Sequence, residues 1–154
     1  MDKILFLDID GVLNIDCKKD HLINYLGTDQ YFFNELYYWK SMLNLREIIY
    51  KTKAQINLIS RRRSNASVVQ KFEWNLMLYD VPFSYIKLCP CLRHQYKCRG
   101  IKESLKGYAE VNYVILDDFA ADFVDPDIKK HLVEVNPNLG INTEIKNQVL
   151  QRLL

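Results

Sequence analysis

At 154 residues, with 49% hydrophobic, the chain suffices for one domain with a substantial core but not for such a core plus a large second domain. A net charge of +2 makes it only mildly basic, so bulk charge does not argue for nucleic acid; that case must rest on where the charges sit. After Met1-Asp2-Lys3 come four apolar residues, too few for a signal peptide, and no stretch has the apolar length to span a bilayer, so a soluble, cytoplasmic protein with no membrane partner is expected.

In chain order, residues 3–8 read as a buried strand. Asn34 to Lys51 places Leu36, Trp39, Leu43, Leu45, Ile48 and Ile49 near helical spacing, without Gly or Pro. Gln55 to Ser60 reads as a short strand ending in a hydroxyl. Ser64-Asn65 is placed to cap a helix over Val68, Val69, Phe72 and Leu76. Phe83 to Leu88 is a third strand, Gly100 to Tyr108 a short helix, and Val111 to Leu116 a strand running into Asp117-Asp118. His131 to Val135 is a fifth strand, and Thr143 caps a last amphipathic helix carrying Ile145, Val149, Leu150 and Leu153. Strands alternating with helices call for an α/β fold, a parallel sheet with helices on both faces, and a site outside the carboxyl ends of the strands. No repeat, low-complexity stretch or linker divides residues 1–154, which read as a single domain.

That edge would collect the chemistry. Asp8-Ile9-Asp10-Gly11 follows the apolar run Ile4-Leu5-Phe6-Leu7, and alternation along a strand would turn Asp8 and Asp10 to the same side. Two carboxylates there repel unless a cation or a shared proton compensates them. The simplest solution is Mg²⁺ on oxygen ligands, with one carboxylate free to attack an electrophile. Asp-Gly after a strand is equally the signature of a plain turn. Asp117-Asp118 would complete the ion's ligands, or cap the turn at Phe119-Ala120-Ala121. Asp122, one helical turn later, is a candidate to support the ion's ligands from behind, with a solvated surface position the readier alternative.

The stretch Ile4 to Leu13 resembles the first motif of the haloacid dehalogenase (HAD) superfamily, four apolar residues followed by Asp-x-Asp-Gly. The resemblance implies an HAD-like, Rossmannoid fold with minimal or no cap. It also implies Asp8 as a nucleophile that forms an aspartyl-phosphate and Asp10 as general acid and base. Ser60 stands where the superfamily binds a phosphoryl oxygen. Lys97 is the first choice for the cation of its third motif, ahead of Arg99 and Lys102. Asp117 and Asp118 stand where its Mg²⁺ site is completed, with Asp8 and the carbonyl of Asp10. Further segments are similar to capless HAD domains related to Swiss-Army-knife RNA repair proteins: Asn44-Leu45-Arg46-Glu47-Ile48-Ile49, Asn112 to Asp118, and His131-Leu132-Val133 through Gly140-Ile141-Asn142. The second motif departs from that group as Ser60-Arg61-Arg62-Arg63, and Cys89-Pro90 replaces its Thr-Pro.

A carboxylic acid at the second motif position suits phosphoryl transfer, since it protonates a leaving oxygen and then activates water. Arg61, Arg62, Arg63 and Arg99 are read as substrate-binding, within a basic edge that includes Arg93, His94 and Lys102. Tyr96 and the aromatic stretch Asn24–Trp39 offer rings to stack on bases, although aromatics at helical spacing usually fill a core and an arginine run is usually solvated. A phosphorylated substrate is expected, a nucleotide or nucleic-acid end phosphate beside a small phosphate ester or a phosphoprotein. The alternative is a catalytically inactive module that keeps the fold; it predicts loss of acidic residues, yet Asp8, Asp10, Asp117 and Asp118 are all present. A phospho-receiver domain would place its phosphorylated Asp at the third strand, which this chain does not. Cys89, Cys91, His94 and Cys98 either hold zinc at a compressed spacing or are, like Cys17, reduced residues.

Overall fold

Ile4-Leu5-Phe6-Leu7 is apolar without alternation, the pattern of a strand covered on both faces, and it forms the middle of the sheet. In the computed structural model, which describes residues 1–15, 36–90 and 97–154, β1 (Asp2–Leu7) pairs in parallel with β2 (Gln55–Leu58) on one side and β4 (Val111–Asp117) on the other. β3 (Lys87–Leu88) joins the outer edge of β2, and β5 (Leu132–Glu134) that of β4. The order β3-β2-β1-β4-β5 is all parallel. The chain steps outward from β1 to β3, then returns past β1 to continue in the opposite direction. The reversal falls between β1 and β4, where such sheets open a ligand crevice at their carboxyl edge.

Alternation divides the core into two layers. Leu5 and Leu7, with Ile56, Leu58, Val114 and Leu116, face α1 (Trp39–Thr52), α2 (Ala66–Leu78) and α5 (Thr143–Leu153). Met42, Leu45 and Ile48, then Phe72 and Leu76, then Val149 and Leu153 cover them. Ile4, Phe6, Tyr113 and Ile115 face the other way, against Cys98 and Ile101 of α3 (Lys97–Leu105), Phe123, and Ile128 of α4 (Pro126–Lys129). Burying each large side chain is worth about 1.5–3 kcal/mol, so the sheet is held from both faces.

Several boundaries differ from those read in the sequence. The first helix begins at Trp39, with Tyr38 extended just before it; Asn34 lies outside the described residues. Asn65 caps α2 as expected, its side chain accepting from Ser67 N–H. The last helix is capped by Asn142, whose Oδ1 takes the Ile145 N–H at 2.9 Å, so Thr143 is its first residue rather than its cap. β3 is two residues instead of six: Lys87 and Leu88 pair with β2, while the Tyr85 carbonyl accepts from the Gln55 side chain. The helix expected over Gly100–Tyr108 starts at Lys97 and ends at Leu105, where Tyr108 N–H closes a turn onto Leu105. The helical turn expected after Asp117-Asp118 is a 3₁₀ turn, Ala120–Asp122, and the four-residue α4 was not foreseen, being too short to leave a periodic signal. Among the described residues, no helix is long and apolar enough to cross a membrane.

Candidate active site

The parallel ladders run one residue beyond the strands. Asp8 N–H donates to the Leu116 carbonyl at 3.0 Å, Ile59 N–H to Leu7 at 3.0 Å, and Val135 N–H to Asp117 at 2.9 Å. Asp8, Ser60 and Asp117 therefore emerge together at the carboxyl edge, beside the reversal of strand order.

Beyond Asp8 the chain curls at once. The Ile9 carbonyl accepts from Val12, Leu13 and Asn14, and Gly11 N–H donates to the Asn14 carbonyl at 2.7 Å. Gly11 takes φ +77°, a region that disfavours a Cβ, and any Cβ there would overlap the Asp118 carboxylate. The curl undoes the simple alternation. Asp8 is buried, but Asp10 is exposed, its Oδ1 taking Asn14 Nδ2 at 3.5 Å and its Oδ2 lying 3.6 Å from Arg62. The carboxyl of Asp10 thus stands apart from Asp8 rather than beside it.

Lys97, the first residue of α3, reaches between two strands. Its Nζ lies 3.0 Å from Asp8 Oδ2 and 2.5 Å from Asp117 Oδ2, with Asp122 Oδ2 at 3.9 Å. Asp117 uses its other oxygen to cap the following turn, accepting Phe119 N–H at 3.0 Å, so capping and site duty coexist in one side chain. Oxygens of Asp8, Asp117 and Asp118 all lie within 4.8 Å of one another. Arg99 points to solvent on α3, and Lys102, also exposed, pairs with Asp125, so of the three candidate cations only Lys97 enters this group.

Charge bookkeeping shows what the group lacks. Burial acts to lower the pKa of Lys97, but the charges of Asp8 and Asp117 outweigh it and the net shift is upward. Burial, then the Asp8 charge, push the Asp117 carboxyl up to about 6 against the pull of Lys97. Burial and crowding act together here: one ammonium is shared between two buried carboxylates, with a third, Asp118, close by. A hard divalent cation suits that deficit, with carboxylate oxygens close enough to share it and open positions for water.

Ser60 is buried just past β2, and its Oγ accepts the Arg62 N–H at 3.3 Å, which leaves its proton for another acceptor. The three arginines after it part company. Arg61 crosses to Asp122 at 2.5 Å. Arg62 extends to Asp10. Arg63 turns inward, and its guanidinium donates to the carbonyls of Ile59, Ser60, Cys89 and Pro90 at 2.5–2.9 Å. The substrate-binding role expected of Arg63 is therefore corrected: its donors are taken up in bracing the loop after β2 against the loop after β3. Asp122, expected on the solvated surface, is buried between Arg61 and Lys97. Its position five residues after Asp117 was the available signal, but only the 3₁₀ turn between them brings it back to the site.

Cys89 and Cys98 are buried core residues not joined in a disulfide; Cys89 Sγ lies 3.2 Å from Ser104 Oγ, and Cys98 Sγ reaches toward the Asp122 carbonyl. Cys17, Cys91, Arg93, His94 and Tyr96 lie outside the described residues, as does the aromatic stretch up to residue 35.

The family model for the HAD domain in Swiss Army Knife RNA repair proteins matches residues 4–145. The chain belongs to this family of HAD domains, and its five-stranded parallel sheet is the Rossmannoid fold that membership implies. Comparison with curated proteins finds no match.

Proposed function

We propose that the chain is a Mg²⁺-dependent phosphomonoesterase that works through an aspartyl-phosphate on Asp8. The observation carrying this reading is the Lys97 ammonium clasped by Asp8 and Asp117, with Asp118 beside them, at the carboxyl edge where the sheet reverses direction. A buried carboxylate held by a cation is a nucleophile fixed in place. Asp8 attacks phosphorus, forming one P–O bond as the ester P–O bond breaks. Asp10 gives its proton to the leaving oxygen, then takes one from the water that attacks the aspartyl-phosphate, releasing phosphate and restoring Asp8. Ser60 donates its free proton to a phosphoryl oxygen. Lys97 neutralises charge as it builds on the phosphoryl group. Mg²⁺, held by Asp8, Asp117, Asp118 and the Asp10 carbonyl, would add positive charge against the same oxygens.

Membership in a family described from RNA repair proteins supports nucleic-acid end phosphates as the substrate class, and the exposed Arg62 supports an anionic substrate. Phosphate release is to be measured from 3′- and 5′-phosphorylated oligonucleotides and small phosphate esters, with Mg²⁺ and with chelator. The expected result is Mg²⁺-dependent release that Asp8→Asn lowers to below about 1% in a protein of unchanged fold, since an amide cannot form the acyl phosphate. Full activity in Asp8→Asn would exclude this nucleophile. Absence of release from every ester by wild type with Mg²⁺ would leave the fold as a binding module.

A further inference from the structure

The arginine run looks like one basic patch, but its three charges are committed very differently. Arg63 is buried against four carbonyls. Arg61 is exposed along its stem, yet its guanidinium sits 2.5 Å from Asp122, a carboxylate that is only 6% exposed. Withdrawing Arg61 would leave the buried Asp122 with only Lys97, at 3.9 Å and already held by Asp8 and Asp117, a costly exchange. Arg62 differs from both. Its side chain is 63% exposed, and among the described residues its ion pair is to the exposed Asp10 at 3.6 Å. A pair of that kind contributes about 0–1 kcal/mol, so a substrate anion can replace it at little cost.

The position of Arg62 gives that exchange a meaning. Building on the proposed phosphatase reaction, the group that touches Asp10 stands on the leaving-group side, because Asp10 protonates the leaving oxygen. We infer that Arg62 is a specificity-determining residue that selects phosphate esters whose leaving alcohol carries a second phosphate, as the terminal nucleotide of an oligonucleotide does. In the free protein Arg62 and Asn14 together hold both oxygens of Asp10. A phosphate on the leaving group draws the guanidinium to itself and frees the Asp10 carboxyl to turn to the leaving oxygen. A neutral leaving group offers no such exchange. Guanidinium suits the task, since its planar fork meets two phosphate oxygens at once.

The test compares thymidine 3′,5′-bisphosphate with thymidine 3′-monophosphate, measured as kcat/KM for phosphate release at low and high salt. Whichever phosphate of the bisphosphate is attacked, the leaving group keeps one; the monophosphate releases a neutral nucleoside. In wild type the bisphosphate should be favoured, and Arg62→Ala should cut the ratio of the two kcat/KM values about tenfold, the worth of one charge-assisted hydrogen bond. Arg62→Glu should cut it further, while Arg62→Lys keeps part of it. High salt should compress the ratio in wild type and leave it nearly flat in Arg62→Ala. A ratio that is the same in Arg62→Ala, Arg62→Glu and wild type overturns the assignment while leaving the phosphatase reading standing. No release from either ester by wild type removes that reading, and this assignment with it.

Discussion

Within one tripeptide, identical side chains do three different jobs, and the difference lies in what each guanidinium meets. Arg63 is the structural one. Truncating it would strand the carbonyls of Ile59, Ser60, Cys89 and Pro90 without their shared donor. Arg63→Ala is therefore expected to cost about 2–4 kcal/mol, read as a lower urea midpoint, with most of the loss persisting in Arg63→Lys because an ammonium cannot reproduce the fork. A midpoint within error of wild type would mean that water satisfies those carbonyls equally well. Gly11 makes the matching case for a residue without a side chain. At φ +77° and with the Asp118 carboxylate where a Cβ would lie, Gly11→Ala must displace Asp118. The expected consequence is a loss of Mg²⁺ affinity of at least about tenfold, measured by titration calorimetry, in a protein that still melts cooperatively. An unchanged Mg²⁺ isotherm would place the ion away from Asp118.

Among the elements, α1 and α5 are joined by polar contacts as well as by the core. Ser41 Oγ accepts the Ile141 N–H at 2.9 Å, Asn44 donates to the Ile141 carbonyl at 2.7 Å, and Glu47 holds Lys146 at 2.6 Å and Lys51 at 2.7 Å. The hydrogen bond from Lys146, then that from Lys51, bring the Glu47 carboxyl down from 4.5 to about 2. A depressed carboxylate stabilises the fold above its unfolded pKa, and that contribution fades as pH falls toward the folded value. Lys146→Met should thus lower stability at pH 7 by about 0.5 kcal/mol, since Glu47 is partly exposed and screened, and the gap to wild type should close between about pH 4.5 and 2. A gap that persists at pH 2 would assign the loss to packing of the lysine stem instead.

These elements also mark what the sequence could carry. Ile4–Leu7 and Val114–Leu116 were legible because a strand buried on both faces needs an unbroken apolar run, and the residues following such strands must land on one edge. That placed Asp8, Ser60 and Asp117 together. Past the strand ends, direction is set by turns instead of by alternation. The curl at Gly11 sends Asp10 outward, the 3₁₀ turn brings Asp122 inward, and the Ser60–Arg63 turn folds Arg63 into the core. No periodicity encodes such turns, so the residues were found but their partners were not.

For the whole molecule, the site is where the sheet's two halves meet. Asp8 belongs to the loop after β1, Asp117 ends β4, and Lys97 opens the helix that returns the chain between the halves, so one cluster of charge bridges the central strands to the layer over them. Metal-free, the Asp117 carboxylate within that cluster works against folding at neutral pH. The Asp117 carboxyl is raised to about 6 by burial and by Asp8, so its charged form is less favourable folded than unfolded. Here the sign is the reverse of that at Glu47: the penalty is absent below the usual carboxylate range, grows as pH rises toward 6, and is fully present above it. An ion that binds the folded site and not the unfolded chain relieves the penalty and stabilises by mass action. At lower pH, protons compete for the same oxygens and the ion gains less. Saturating Mg²⁺ is therefore expected to raise the melting temperature more at pH 7.5 than at pH 5, and the difference should vanish in Asp117→Asn. Thermal melts in chelator and in Mg²⁺ at both pH values read this directly. Equal Mg²⁺ shifts at the two pH values would show that the ion does not share Asp117 with the proton.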